Sequence, residues 1–196
     1  MPKSSTETRP THRWLLLVVS AAIVLVADQL SKWWAVSELA PDPTKKVEII
    51  GSLQFRYAEN TGMAFSQGAG SGRWIGLIVI VIVIALVVFA SKVRSKVQVV
   101  LLGVVIGGAL GNLIDRAFRA EEGWLSGAVV DFIDLQWWPV FNIADMAVVL
   151  GGILLVIWST RDPQEDELDE PDGSDADDAR AAAGSAGDEA AADTPG

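Results

Sequence analysis

Cysteine is absent from the 196-residue chain, and histidine occurs once, as His12 in a polar stretch ahead of the first apolar run. The first absence excludes a disulfide framework, a thiolate metal site and a cysteine nucleophile. The second excludes a histidine-based triad and a multi-histidine metal centre. No basic patch suits a nucleic acid, so no such partner is expected. A glycine-rich phosphate loop is missing too. The Asp/Asn clusters lie in apolar surroundings with too few oxygen ligands for Mg²⁺ or Ca²⁺, so neither a metal nor a cofactor is implied. Any chemistry must come from carboxylates, hydroxyls, lysines or amides.

What the chain has in quantity is apolar length: 51% of its residues are hydrophobic. The formal charge of −10 is lopsided, because residues 161–196 hold 13 of the 25 acids against only Arg161 and Arg180. The remaining 160 residues are nearly neutral, so no global field selects a basic partner. Four apolar stretches, at about 14–36, 74–90, 97–119 and 141–159, each have the length of a bilayer-spanning helix. The β-branched run at 74–90 would suit a buried strand, but its unbroken length favours a helix. The first stretch is long, lacks an A-x-A-like exit and runs into Trp33-Trp34, so it reads as a retained helix rather than a signal peptide.

The expected fold is therefore an all-α membrane protein of four transmembrane helices within a domain of residues 14–160. Lys3, Arg9 and Arg13 precede the first helix, and Lys92, Arg94 and Lys96 fill the turn between the second and third. The positive-inside rule puts both regions, and both termini, in the cytoplasm. Residues 37–73 and 120–140 then lie outside. In the first, alternation in "KVEIIGSLQFRYAEN" predicts a small β-element ending near Asn60. The second is rich in Trp and reads as an interfacial segment. Residues 1–13 are expected to form a cytoplasmic tail, and 161–196, rich in Asp, Ala, Gly and Pro, a disordered acidic one.

An up-and-down path gathers the polar residues at one end. Asp28 lies roughly 21 Å along the first helix at 1.5 Å per residue. Asp115 sits near the outer end of the third helix, and Asp145 five residues into the fourth, so all three reach one depth. Asp28 and Lys32 are spaced i,i+4 for an ion pair, which reads first as structural. Asn112, Asp115 and Arg116 share a helix face, as do Asn142 and Asp145. Gly103, Gly107 and Gly111 make a strip for close packing. Arg116 beside Asp115 would lower that carboxyl's pKa and make it a scaffold rather than a proton carrier. Asp134 is expected to face water. Asp131 and Asp145 lack a neighbouring cation, and burial would raise a carboxyl pKa there. One protonated and one ionised carboxyl is the aspartic-protease arrangement. From spacing alone, such a pair and a purely structural polar cluster fit these residues equally well.

Five motifs in order, "DQLSK" (28–32), "NTGMAF" (60–65), "GGALGNLIDR" (107–116), "VVDF" (129–132) and "FNIAD" (141–145), resemble those of the lipoprotein signal peptidases, or signal peptidase II. The resemblance spans about residues 14–159. It implies an aspartic endopeptidase of the cell membrane that cuts lipoprotein precursors before a diacylglyceryl-modified cysteine, near the outer leaflet. It also implies Asp131 and Asp145 as the catalytic pair, and Asn60, Gly62, Asn112, Arg116 and Asn142 as substrate-binding residues. Asp28, Lys32 and Asp115 would brace the site. The implied partners are lipid-modified precursors and membrane lipid, with the chain a monomer. Two departures concern the groove: Met63 stands where relatives usually carry Ala, and only 13 residues separate Asp131 from Asp145.

Three rival readings remain. A small transporter or ion-path protein would need polar groups through the full membrane thickness, whereas the inner halves of the second and fourth helices are apolar. A serine–lysine peptidase would draw on Lys32 with Ser126. A non-catalytic scaffold would leave the paired carboxylates unexplained.

Overall fold

The computed structural model describes residues 10–62, 71–120 and 123–161. Met63, the N-terminal tail before residue 10 and the acidic tail after residue 161 lie outside the described residues. The elements run α1 (Pro10–Glu38), β1 (Val47–Ile50), β2 (Leu53–Asn60), α2 (Ser71–Lys92), α3 (Lys96–Phe118), β3 (Val129–Asp134) and α4 (Ile143–Arg161). All four helices are long and apolar enough to cross a membrane.

α3 is the axis of the bundle and packs against α1, α2 and α4. Its glycines explain how. A Cβ on Gly107 would lie 2.5 Å from the Ala21 carbonyl oxygen of α1, and one on Gly108 would lie 2.5 Å from the Ala144 carbonyl oxygen of α4. Only hydrogen side chains let three backbones approach so closely. Near the chain's entry into α1, Leu17, Ala21, Ala90, Val93, Val99, Leu102 and Ile106 form one buried cluster. α2 lies at the margin of this packing and leaves Ile78, Val81, Ile84 and Val88 exposed, as a lipid-facing helix should.

At the other end stands a three-stranded antiparallel sheet in the order β1-β2-β3. The β1–β2 hairpin pairs Ile50 with Leu53, which leaves Gly51 and Ser52 as a two-residue turn. Gly51 takes φ 56°, the positive value such turns require. β3 was not legible in the sequence, where 120–140 reads only as an interfacial stretch. Its six residues are almost wholly buried, so its apolar and acidic side chains lose the alternation that marks a half-exposed strand. Trp34, Phe55 and Phe132 meet edge to face at 5.6–6.1 Å and pin the last turns of α1 to the sheet. Ala35, Leu39 and Val130 complete that cluster.

Candidate active site

The site is assembled by β2, β3 and the facing ends of α1, α3 and α4. β2 pairs Asn60 with Val129, which sets Asp131 two residues further along β3 on the same side. Asn60 Nδ2 donates to Asp131 Oδ2 at 3.1 Å. The Gly62 amide donates to Asn60 Oδ1 at 2.9 Å and thereby holds the amide group in that orientation. Gly62 has φ 83°, a conformation that favours glycine.

After β3 the chain folds back at once. Asp134 Oδ1 accepts from the Gln136 amide at 2.7 Å, and Phe141 exchanges backbone hydrogen bonds with Ile133 at 2.8 and 3.0 Å. The 13-residue spacer is thus a closed loop, long enough to deliver Asn142 beside Asp131. α4 starts at Ile143, not at 141 as its apolar pattern suggests, which makes Asp145 the third helical residue. The reason is a reciprocal cap. Asn142 Oδ1 accepts from the Asp145 amide at 2.9 Å, and Asp145 Oδ2 accepts from the Asn142 amide at 3.2 Å.

Asn142 is also the joint between the two carboxylates. Its Nδ2 donates to Asp131 Oδ1 at 2.7 Å and lies 3.1 Å from Asn112 Oδ1. Asn112 Nδ2 in turn donates to Asp145 Oδ1 at 2.8 Å. Asn142 is fully buried and Asp131 nearly so. Burial, and after it the charge of Asp145, pushes the Asp131 carboxyl up to about 6, against the hydrogen bonds from Asn60 and Asn142. Among the described residues neither Asp131 nor Asp145 forms an ion pair, so amides hold both.

Beside them lies a second group with the opposite character. Lys32 is 0% exposed, and its ammonium lies 2.9 Å from both Asp28 Oδ2 and Asp115 Oδ2. Its third contact is Asn112 Oδ1, also at 2.9 Å. Three donors meet three acceptors, as a buried ammonium requires. Each carboxylate then fixes a backbone: Asp28 Oδ1 accepts from the Ala144 amide at 3.0 Å, and Asp115 Oδ2 from the Val130 amide at 3.2 Å. Lys32 so orients Asn112, while its two acids position α4 and β3.

Two expectations need correction. Asp115 pairs with Lys32 and with Arg119 at 3.1 Å, not with the adjacent Arg116. The i,i+4 spacing to Arg119 was the overlooked signal, since sequence neighbours on a helix point apart. Asp134 does not face water: it is 4% exposed and accepts from Gln54 Nε2 at 2.7 Å and Arg56 Nε at 2.6 Å. Burial alone would raise it, but those hydrogen bonds hold it at about 2. Gln54 and Arg56 carry no motif and became visible only through the β2–β3 register.

Arg116 is buried, and its NH1 has no hydrogen-bond partner among the described residues. A Cβ on Gly62 or Gly72 would lie 3.4 Å from that nitrogen, so both glycines keep room around it. Asp131, Asp115 and Asp145 all act on its charge. A donor with an open valence beside two carboxylates can hold a substrate carbonyl or carboxylate. Lys32 has all three of its protons engaged and so offers no base to a serine. Among the described residues no His/Cys/Asp/Glu group could hold a metal ion.

Known proteins resemble this chain over most of its length. The profile of the family described as Signal peptidase (SPase) II matches residues 20–161. The chain is 44% identical over 160 residues to a lipoprotein signal peptidase of Rhodococcus jostii, covering 80% of this chain and 79% of the relative. A lipoprotein signal peptidase of Mycobacterium avium is 43% identical over 161 residues, with 81% and 87% covered. One from Syntrophomonas wolfei is 38% identical over 150 residues, with 76% and 95% covered. Among solved structures, a bacterial membrane enzyme determined by the in meso method at 1.9 Å superimposes with TM-score 0.64 and 31% identity, over 75% of this chain and 94% of that one.

Proposed function

The chain belongs to the signal peptidase II family and is a multi-pass membrane protein, and from that premise we propose that it removes signal peptides from lipoprotein precursors by aspartic hydrolysis. The observation that carries the reading is the sharing of Asn142 between Asp131 and Asp145. The two carboxylates hold one proton between them. Asp131, the group raised to about 6, keeps it. Asp145 takes a proton from a water placed between the two acids, and the water oxygen attacks the scissile carbonyl carbon. Asp131 gives its proton to the carbonyl oxygen, which forms a tetrahedral diol. As the diol collapses, the ionised Asp131 takes back one hydroxyl proton, the C–N bond breaks, and the leaving amine takes the proton that Asp145 acquired.

Asn60, Gly62, Asn112, Arg116 and Asn142 bind the substrate backbone in this reading, with the open Arg116 NH1 on a carbonyl. The cut falls before a diacylglyceryl-modified cysteine whose acyl chains stay in the bilayer, near the outer leaflet. The bases at the start of α1 and in the α2–α3 turn face the cytoplasm. Residues 14–160 form the peptidase domain of a monomer, flanked by cytoplasmic tails. An ion path is disfavoured because, among the described residues, no acid occurs in 71–114 or 146–161.

The test is turnover of a diacylglyceryl-modified precursor by purified protein in lipid, comparing wild type with Asp131→Asn and Asp145→Asn. Loss of cleavage in both, with unchanged thermal unfolding, is expected. Normal cleavage by Asp145→Asn would overturn the aspartic mechanism.

A further inference from the structure

A cavity of about 90 Å³ lies at the end of the bundle opposite the carboxylates, lined by Arg13, Trp14, Leu17, Ala90, Ser91 and Val99. Three helices contribute to it: the start of α1, the end of α2 and the first turn of α3. Leu17, Ala90 and Val99 are buried, so its inner wall is apolar. Arg13 Nε is buried as well and has no hydrogen-bond partner among the described residues. Ser91 already gives its hydroxyl hydrogen to the Val88 carbonyl at 2.7 Å, so among the described residues the buried donor left open in the cavity is Arg13 Nε.

Charge on this end is one-sided. Among the described residues no Asp or Glu occurs in 10–27, 71–114 or 146–161, while Lys92, Arg94 and Lys96 stand exposed at the α2–α3 turn. A buried N–H of a permanent cation, with no carboxylate near it among the described residues, needs an acceptor from beyond them. An anion satisfies it.

We propose that this cavity binds the phosphate of an anionic phospholipid, with Arg13 Nε–H donating to a phosphate oxygen and Trp14, Leu17, Ala90 and Val99 receiving the apolar part beneath it. A free phosphate ion offers similar acceptor oxygens but has no acyl chain to lie against Leu17, Ala90 and Val99. Trp14 lines the cavity and is 43% exposed, and Leu15 and Val18 on the same stretch of α1 are each 57% exposed, an apolar surface suited to lipid. Basic pockets between helices on the cytoplasmic side select anionic headgroups. The leaflet assignment rests on the topology proposed above; the site chemistry does not.

The experiment is native mass spectrometry of the full chain after reconstitution in phosphatidylcholine vesicles with and without phosphatidylglycerol. It reads the lipid retained per protein. Wild type is expected to retain phosphatidylglycerol over phosphatidylcholine. Arg13→Gln should lower that retention about fivefold, and Ser91→Asp, which sets a like charge at the exposed rim, should do the same. Arg94→Gln, on the same turn but outside the cavity, should change it by less than about twofold. Asp131→Asn should retain lipid as wild type does, which separates this site from the peptidase reading. Equal losses in Arg13→Gln and Arg94→Gln would reduce the effect to diffuse surface charge and overturn the site. Full displacement by inorganic phosphate would assign a free-anion site instead. A full-length chain whose tail Asp and Glu are changed to Asn and Gln tests the remaining occupant: much higher retention there would mean that the acidic tail fills the cavity.

Discussion

Two pairs of carboxylates lie at the same end of this bundle and differ in what stands between them. Asp28 and Asp115 share an ammonium, that of Lys32. Asp131 and Asp145 share an amide, that of Asn142. A cation between two carboxylates offsets their mutual repulsion. An amide donates hydrogen bonds but no charge, so the repulsion within the second pair is not offset, and the Asp131 carboxyl stays raised to about 6. Residue type is therefore a poor guide to role here, and the group between the acids is the better one. Asn112 joins the two sets, accepting from Lys32 and donating to Asp145.

The comparison can be broken from the reactive side first. Asp131→Asn and Asp145→Asn should each lower turnover by about 10⁴-fold, read as precursor cleavage, and leave the unfolding transition in place. From the structural side, Lys32→Met strands two buried acids and should cost about 3–5 kcal/mol of stability. Denaturant unfolding in detergent measures it, and a stable but inactive Lys32→Met would instead make the lysine a reactive group. Asn142→Ala removes the shared amide and should lower kcat by about 10²-fold, with a smaller loss of stability than Lys32→Met.

The smallest effects concern protons. In the proposed mechanism cleavage requires one proton on the pair, so kcat/KM should fall above pH 6, about tenfold per unit. The folded value of Asp131 is raised above the ordinary 3.8. Its contribution to stability is therefore full at low pH and is lost as pH rises through about 6. Asn60→Ala deletes a hydrogen bond that pulls Asp131 down. The falling limb should then move to higher pH by less than about one unit. A shift to lower pH would mean that Asn60 stabilises the protonated form.

Helical periodicity and length made the four spans legible, because a lipid-facing helix advertises itself by unbroken apolar length. Asp28 with Lys32 was legible for the same reason, as spacing on one helix. The glycine strip on α3 told of close packing but not of which neighbour each glycine meets. Long-range register was the part hidden. Nothing in "VVDFID" says that it is a strand, since burial on all sides erases the alternation. Without β3, Asp134 could not be matched to Gln54 and Arg56 on β2, nor Asn60 to Asp131. The start of α4 was misplaced by two residues because hydropathy does not register a cap, whereas the Asn142–Asp145 spacing does.

That cap couples the start of a helix to the chemistry proposed for it. Asp145 spends one oxygen on the amide that opens α4 and the other on Asn112. Each proton that Asp145 accepts weakens its hold on the Asn142 amide, so the first turn of α4 should loosen and tighten once per catalytic cycle. Amide hydrogen exchange at Asn142 would then keep time with turnover, faster in the working enzyme than in the resting one.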